Sequence, residues 1–183
     1  GSSAGSWLAV YLASDISSDN IQRIIDNYSE QFENNNKNFL YKWHYTGDFL
    51  KKEYIKYIKN SKSISKDKNI KISVTRYKDK KLINEILNDY NNIEDLLELC
   101  KYSSYIPLLT GNNLPKYNDI ITIDSFFTNI NFEYDIMIYF GTFDRKFTMR
   151  EIIGKTKIKA SDYFKEGYSD ALKNKNKLNN MFY

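Results

Sequence analysis

Apolar residues recur with two different periods in separate parts of this chain, and this limits the folds open to it. Residues 19–34 carry Ile21 and Ile24 at the spacing of a helix. Residues 70–76 instead alternate apolar and polar side chains and are rich in β-branched types, which is typical of a strand. Helices and strands without an internal repeat indicate an α/β sandwich. Because no linker divides the 183 residues, we predict a single domain over residues 1–183.

The same patterns predict the order of the elements. A helix is expected directly after Gly5, ending near Ser14. Residues 81–87 fit a second strand, although a helix is also compatible with them. Asn92 is expected to cap the helix that follows. Further helices are predicted over residues 19–34, 46–60, 93–103, 147–154 and 161–177, and further strands over residues 70–76, 119–124 and 136–140.

The chain has one cysteine and one histidine, and this scarcity excludes several kinds of chemistry. Cys100 lies in the apolar run 96–100, so we expect a buried thiol without a disulfide partner in the chain. A zinc site built from several His and Cys side chains cannot form, and we predict neither a metal nor a cofactor. A Ser-His-Asp triad would need His44, whose aromatic neighbours indicate a packing or surface role instead.

Charge and hydropathy bear on the partners of the protein. The formal net charge is +4, and a mildly basic surface attracts the phosphates of lipid head groups or of nucleic acid. A solubilising excess of lysine explains this charge more simply. The chain carries no recognised nucleic-acid motif, so we expect no nucleic-acid partner. It has no run of about 18 apolar residues, so no membrane span is predicted.

The opening residues Gly1-Ser2-Ser3-Ala4-Gly5 match the pattern Gly-x-Ser-x-Gly. In a nucleophile elbow of this pattern the serine lies on a sharp turn between a strand and a helix, and small residues on each side let the backbone pass closely. The helix directs its positive end at the serine, which favours a developing negative charge. Openings rich in Gly and Ser are also typical of expression scars. The motif alone therefore leaves both interpretations open.

Residues 70–124 carry further motifs in a fixed order. They are a strand, a segment that follows a helix, and the end of a second strand, with the sequences Ile70-Lys71-Ile72-Ser73-Val74-Thr75-Arg76-Tyr77, Tyr102-Ser103-Ser104-Tyr105-Ile106-Pro107-Leu108-Leu109 and Asn118-Asp119-Ile120-Ile121-Thr122-Ile123-Asp124. In this order after the elbow, the chain resembles the patatin-like phospholipases, in particular the adiponutrin and adipose triglyceride lipase branch. The resemblance covers roughly residues 1–140 and leaves residues 141–183 as a C-terminal helical part.

This resemblance implies a three-layer α/β/α sandwich with a mostly parallel sheet, and a Ser-Asp dyad that works without histidine. Ser3 matches the nucleophile and Asp124 its activating aspartate. Gly1, Ala4 and Gly5 match the elbow, where the N–H of Ala4 would supply part of the oxyanion hole. The chemistry is sound in itself, because a serine hydroxyl needs a base within about 3 Å. A partly desolvated carboxylate can be that base, since burial raises its pKa.

The resemblance further implies a serine lipid acyl hydrolase of the phospholipase or triacylglycerol lipase type. Its substrates would be glycerolipid or phospholipid esters. Such an enzyme is expected in the cytoplasm, with peripheral attachment to membranes or lipid droplets. The sequence leaves the oligomeric state open.

Three departures from the family pattern bear on activity. The family places a first strand and a glycine-rich oxyanion loop before the elbow, so we expect an N-terminally incomplete chain. Loss of one oxyanion donor typically lowers the rate by about 10²–10³-fold. The family also has glycine after the aspartate, where this chain has Ser125 and Phe126, so we expect either a different turn or a partly closed site. The alternative is therefore a catalytically impaired relative that acts as a lipid- or partner-binding module.

Overall fold

The structure is a computed structural model that describes residues 1–33, 39–58, 70–129, 160–176 and 179. The chain packs as two compact units, one of residues 1–24 and 40–131 and the other of residues 25–39 and 132–183. The predicted strand over residues 136–140 and the predicted helix over residues 147–154 lie outside the described residues. All the motifs of the sequence lie in the first unit.

The α-helices in the described ranges agree in place with the predictions. Asn92 caps the fourth of them as expected, because its side-chain oxygen accepts from the Asp95 N–H at 2.9 Å. The third begins before the predicted residue 46, in an aromatic-rich stretch of modest helix propensity that conceals the helix in the sequence. No helix in the described part of the chain is long and apolar enough to cross a membrane. The helices are α1 (Ala4–Ala13), α2 (Ser18–Tyr28), α3 (Phe39–Ile58), α4 (Ile93–Ser103) and α5 (Ala160–Lys173).

Four strands of the first unit form one sheet in the order β2-β1-β4-β3. Residues 81–87 are a strand, so the helical alternative is wrong. Tight two-residue turns at 79–80 and 118–119 close two hairpins, and all four turn residues have positive φ. Turns of this kind match the twist of paired strands. The strands are β1 (Ile72–Lys78), β2 (Lys81–Leu87), β3 (Lys116–Tyr117) and β4 (Ile120–Ile123).

The mixed α/β class is confirmed, but the mostly parallel sheet is not found in the described residues. All three ladders of the sheet are antiparallel. For two of the ladders the reason is local, because two-residue turns connect β1 to β2 and β3 to β4, and such turns can join only antiparallel strands. The third ladder pairs β1 with β4, which are distant in sequence. Within the described ranges, parallel pairing is limited to isolated bridges, one of which joins Ser2 to Ser73.

The Ser2–Ser73 bridge determines where the residues of the Gly-x-Ser-x-Gly motif lie relative to the sheet. β2 pairs with β1 along one edge over its whole length. Ser2 must therefore pair with Ser73 on the opposite edge, where Thr75 pairs with Ile123 of β4. The first residues of the chain and the end of β4 consequently meet on the same side of β1.

Helix α4 packs against both α1 and β1 and forms the centre of the core. Leu96, Leu97 and Cys100 on this helix are fully buried, as are Val10 of α1 and Ile72 of β1. The predicted buried thiol is confirmed, and burial raises the pKa of Cys100 to about 12. The packing of α4 fixes both α1 and β1, and with them the turn that precedes α1.

Candidate functional site

Ser3 lies on a sharp turn between a short extended segment and α1. The Gly1 carbonyl accepts from the Ser73 N–H at 2.9 Å, so this segment runs beside β1. The helix begins one residue after the serine, at Ala4. Ser3 itself has φ 50° and ψ −131°, a backbone conformation that typically costs a non-glycine residue about 1–3 kcal/mol. The structure therefore has the strained strand-to-helix turn that the Gly-x-Ser-x-Gly pattern predicts.

Hydrogen bonds on both sides of Ser3 hold this strained turn. The Gly5 N–H donates to the Ser2 carbonyl at 2.8 Å. The Ser3 carbonyl accepts from the Ser6 N–H at 3.0 Å and from the Ser6 hydroxyl at 2.6 Å. The Ser3 N–H donates to the Ser103 hydroxyl oxygen at 3.0 Å. Strain at one residue persists only where its surroundings fix it in this way.

The two glycines of the motif have different roles. A Cβ added to Gly1 would lie 2.5 Å from the Gly5 carbonyl oxygen and 2.6 Å from the Ser6 Cα, so the close packing of the turn on α1 requires glycine there. Beyond the adjoining backbone of α1, a Cβ added to Gly5 would meet nothing in the described residues within 4 Å. The expectation that both glycines permit a close approach is thus confirmed for Gly1 and wrong for Gly5.

Asp124 follows directly after β4 and reaches the elbow. The Ser3 hydroxyl donates to Asp124 Oδ2 at 2.7 Å. The other carboxylate oxygen, Oδ1, accepts from the Phe126 N–H at 2.8 Å, and the Asp124 N–H donates to the Tyr105 carbonyl at 2.8 Å. Only 1% of Asp124 is exposed. The structure therefore brings together the two side chains that the sequence singled out.

Burial raises the pKa of the Asp124 carboxyl above its ordinary value, and the hydrogen bonds from Ser3 and Phe126 lower it only in part. A carboxylate with a raised pKa holds a proton more readily than an exposed one. It is thus a better acceptor for the proton of a hydroxyl that attacks a substrate. The geometry and the electrostatics both suit Asp124 as a base for Ser3.

The residues after Asp124 form a 3-10 turn, Ser125–Phe127, instead of a glycine turn. Neither Ser125 nor Phe126 has positive φ, so this turn does not need glycine. Ser125 is fully buried, and its hydroxyl lies 2.5 Å from that of Ser2. The Phe126 side chain is 82% exposed and points away from the interior. Of the two outcomes expected from the sequence, a different turn is found, and Phe126 does not fill the site.

An oxyanion would find one donor beside Ser3. Ala4 is the first residue of α1, and its N–H donates to no acceptor among the described residues. The positive end of α1 adds to the attraction of negative charge at this point. His44 contacts the ring of Tyr45 on α3, and no contact joins it to the Ser-Asp pair. In the described part of the chain, no group of His, Cys, Asp and Glu is placed to hold a metal ion.

Ser103 belongs to the family-like segment, but the sequence assigned it no role in the site. It is fully buried at the end of α4, and its hydroxyl accepts from the Ser3 N–H and donates to the Ser73 carbonyl at 2.7 Å. It therefore ties the strained residue to the first strand. Its place two residues before Tyr105 in the family-like segment was visible in the sequence, but serine is too common at helix ends to stand out.

We expect Ser103→Ala to slow the reaction of Ser3 with an acylating probe by about tenfold, the factor that corresponds to about 1.4 kcal/mol. The substitution leaves the Ser3 N–H and the Ser73 carbonyl without their buried partner, which typically costs about 1–3 kcal/mol. Part of that loss falls on the strained turn. The rate of labelling and the free energy of unfolding in urea are the measurements.

The matched control for this prediction is Ser104→Ala. Ser104 accepts from Trp7 Nε1 at 3.2 Å and donates to the Cys100 carbonyl at 2.9 Å, but makes no contact with Ser3. The Ser104→Ala variant should be less stable, but its folded form should react with the probe as fast as the unmodified chain does. Equal slowing in both variants would show that Ser103 contributes only to general stability.

Fold and site together define a strained serine at the start of a helix, paired through one hydrogen bond with a buried carboxylate. This arrangement has the parts of a two-residue nucleophile and base, with one backbone donor for an oxyanion. None of the protein-family models, curated proteins or solved structures that were compared with the chain matches it.

Proposed function

We propose that this protein is a serine acyl-ester hydrolase of the patatin-like type, with Ser3 as nucleophile and Asp124 as base. The observation that carries the proposal is the 2.7 Å hydrogen bond from Ser3 Oγ to Asp124 Oδ2 at a strained turn. The two residues are 121 positions apart in sequence. Local structure does not produce such a contact, and strain in the backbone concentrates at functional sites.

In the proposed reaction, Ser3 Oγ attacks the carbonyl carbon of an ester while Asp124 accepts the hydroxyl proton. The negative charge on the carbonyl oxygen is stabilised by the Ala4 N–H and the positive end of α1. Asp124 then returns the proton to the departing alcohol, which leaves an acyl group on Ser3. Water that gives a proton to Asp124 attacks this acyl-enzyme, and the acid is released as the Ser3 hydroxyl forms again.

The substrates that we propose are the esters of glycerolipids, either phospholipids or triacylglycerols, with the protein attached peripherally to a membrane or lipid droplet. The fold that we propose for the site region is patatin-like, with the short extended segment before Ser3 parallel to β1. The Ser2–Ser73 bridge supports this arrangement. The antiparallel pairing of β1 with β4 departs from the family pattern.

The test is labelling with a fluorophosphonate probe, which reacts with activated serines. We expect one labelled residue, identified as Ser3 by peptide mass spectrometry, and loss of labelling in Ser3→Ala. The matched control is Ser2→Ala, because Ser2 lies in the same elbow but its hydroxyl contacts Ser125 instead of the carboxylate. Circular dichroism of each variant verifies the fold.

Labelling that persists in a folded Ser3→Ala variant would refute the proposed nucleophile. A folded protein that takes up no probe but still associates with lipid vesicles would support the alternative, a lipid-binding module without catalysis. A site closed by Phe126 would have favoured that alternative. The side chain of Phe126 is exposed instead and does not cover the Ser-Asp pair.

A further inference from the structure

Five large apolar side chains of the first unit are exposed next to the turn that carries Asp124. We call them the apolar rim, and their exposed fractions range from 39% to 82%. Contiguous apolar exposure of this kind marks interaction sites in proteins. The members are Tyr77, Leu82, Ile86, Phe126 and Phe127.

The rim is one surface because of the register of the hairpin. Tyr77 and Leu82 are cross-strand partners, so their side chains share a face of the sheet. Ile86 lies on the same face, because side chains of a strand alternate. Asn84, between Leu82 and Ile86, donates to Thr128 Oγ1 at 3.4 Å. A shorter hydrogen bond of 2.7 Å between the hydroxyls of Thr128 and Thr75, the cross-strand partner of Asn84, holds the segment that follows Phe127 over the same face of the sheet.

Strand and turn together border an open groove of about 520 Å³. Its lining combines the apolar Leu82, Phe126 and Phe127 with the polar Asn84 and Thr128. Phe126 connects the groove directly to the candidate site, since its N–H donates to Asp124 Oδ1. A mixed apolar and polar lining suits the boundary between lipid tails and head groups.

The charge next to the rim is positive. The hairpin tip, residues 78–81, carries three lysines and one aspartate. Lys78 is paired with Glu85. Lys80 and Lys81 are exposed, and neither takes part in an ion pair between described residues. Lys80 lies in the turn and Lys81 starts from the face opposite Leu82, but at the end of a hairpin their long side chains can still bring their amines to head groups of a membrane that contacts the rim.

We propose that the apolar rim and the hairpin tip dock the protein onto an anionic lipid bilayer. Exposed aromatic side chains can be buried at the boundary of the acyl chains, and unpaired lysines are attracted to anionic head groups. We choose a bilayer over an acidic protein partner because the exposed side chain of Phe126 is large and apolar and can enter the acyl region, while the amines of Lys80 and Lys81 contact head groups. The use of this docking in catalysis rests on the proposed function, whereas the docking itself does not require Ser3.

The experiment is flotation of the full chain with vesicles of phosphatidylcholine, with and without phosphatidylserine. A Ser3→Ala background prevents any turnover of lipid. We expect association with the anionic vesicles, weakened by salt. Phe126→Ser should weaken it by about tenfold or more, since burying a Phe side chain contributes enough for such a factor. The double variant Lys80→Glu/Lys81→Glu should abolish the preference for phosphatidylserine.

The matched control is Tyr168→Ser on α5, which removes another aromatic side chain of high exposure from outside the rim. It should leave vesicle association unchanged. Absence of association, or equal weakening by Tyr168→Ser, would overturn the docking proposal. Association that is insensitive to Phe126→Ser would overturn it as well.

Failure of the docking proposal can be distinguished from failure of the proposed hydrolase activity. A hairpin variant, Tyr77→Ser/Leu82→Ser, should lose vesicle association but still react with the fluorophosphonate probe in solution. If the unmodified chain reacts with the probe but does not bind vesicles, only the docking surface is wrong. If it binds vesicles but does not react, only the hydrolase is wrong.

Discussion

An Asp124→Asn variant is expected to hydrolyse p-nitrophenyl esters about 10²–10⁴-fold more slowly than the unmodified chain, the usual contribution of a positioned base. Asparagine can keep both hydrogen bonds of the aspartate. Its oxygen can accept from the Phe126 N–H, and its amide can donate to Ser3 Oγ, which lies 2.7 Å from Oδ2 in the present geometry. What it cannot do is accept the proton of Ser3, so the loss is chemical and not structural.

The matched control is Asp119→Asn, at the other end of β4. Asp119 is exposed and has φ 61°, a conformation that asparagine adopts readily. This control should retain full activity. Hydrolysis by Asp124→Asn at a rate close to that of Asp119→Asn would mean that Ser3 has another base or is not the nucleophile.

The same substitution should make the fold more stable at neutral pH. Because burial raises the pKa of Asp124 in the folded state, folding favours the protonated carboxyl. The stability that this confers is complete below the pKa of the unfolded chain and is lost as pH rises through the raised folded value. Asparagine is neutral throughout, so the stability of Asp124→Asn relative to the unmodified chain should increase from acid to neutral pH and then level off.

Thermal unfolding of both proteins across that pH range measures the effect. As pH falls through the raised pKa of Asp124, the contribution of this group to stability increases. Activity should decrease over the same range, because the reaction needs the carboxylate. Asp124→Ala gives a further comparison, because it leaves the Phe126 N–H and the Ser3 hydroxyl without their acceptor and should destabilise the fold. An Asp124→Asn variant that is less stable at neutral pH would show that Asp124 is stabilised as the carboxylate.

The parts of the structure that could be predicted from the sequence are those set by local pattern. Asn92 caps α4 because a short polar side chain precedes an apolar helical period. The elbow turn is predictable for a similar reason, since Gly1 and the helix beyond Ser3 specify it within a few residues. The pattern of both features is set by residues close together in the chain, although hydrogen bonds with the distant Ser73 and Ser103 also hold the elbow turn.

Contacts between distant residues were harder to predict. The pairing of Ser3 with Asp124 came from a resemblance in motif order, because no local pattern joins two residues 121 positions apart. The same resemblance implied a mostly parallel sheet, whereas the sheet of the described residues is antiparallel; the two-residue turn at 118–119 requires this of β3 and β4. The role of Ser103 was not identified because it depends on the packing of α4 against β1.

The second large effect is expected at the first glycine of the elbow. Gly1→Ala would place a methyl group 2.5 Å from the Gly5 carbonyl oxygen and 2.6 Å from the Ser6 Cα, which are backbone atoms that no rotamer change can move. The turn and α1 would have to separate. Overpacking of this kind typically costs about 1–3 kcal/mol, and here it acts on a residue whose backbone is already strained. We expect lower stability in urea together with loss of probe labelling at Ser3.

Gly5→Ala is the matched comparison within the same motif. Beyond the adjoining backbone of α1, a methyl group at Gly5 meets no atom of the described residues within 4 Å, and Gly5 lies in this helix, where alanine is favoured over glycine by about 0.5–1 kcal/mol. This variant should unfold at a slightly higher urea concentration, so two identical substitutions in one motif should change stability in opposite directions. Similar losses in both variants would indicate that the turn is not packed against α1 as closely as the distances around Gly1 require. The alignment of Ser3 with Asp124, which depends on that packing, would then fail with it.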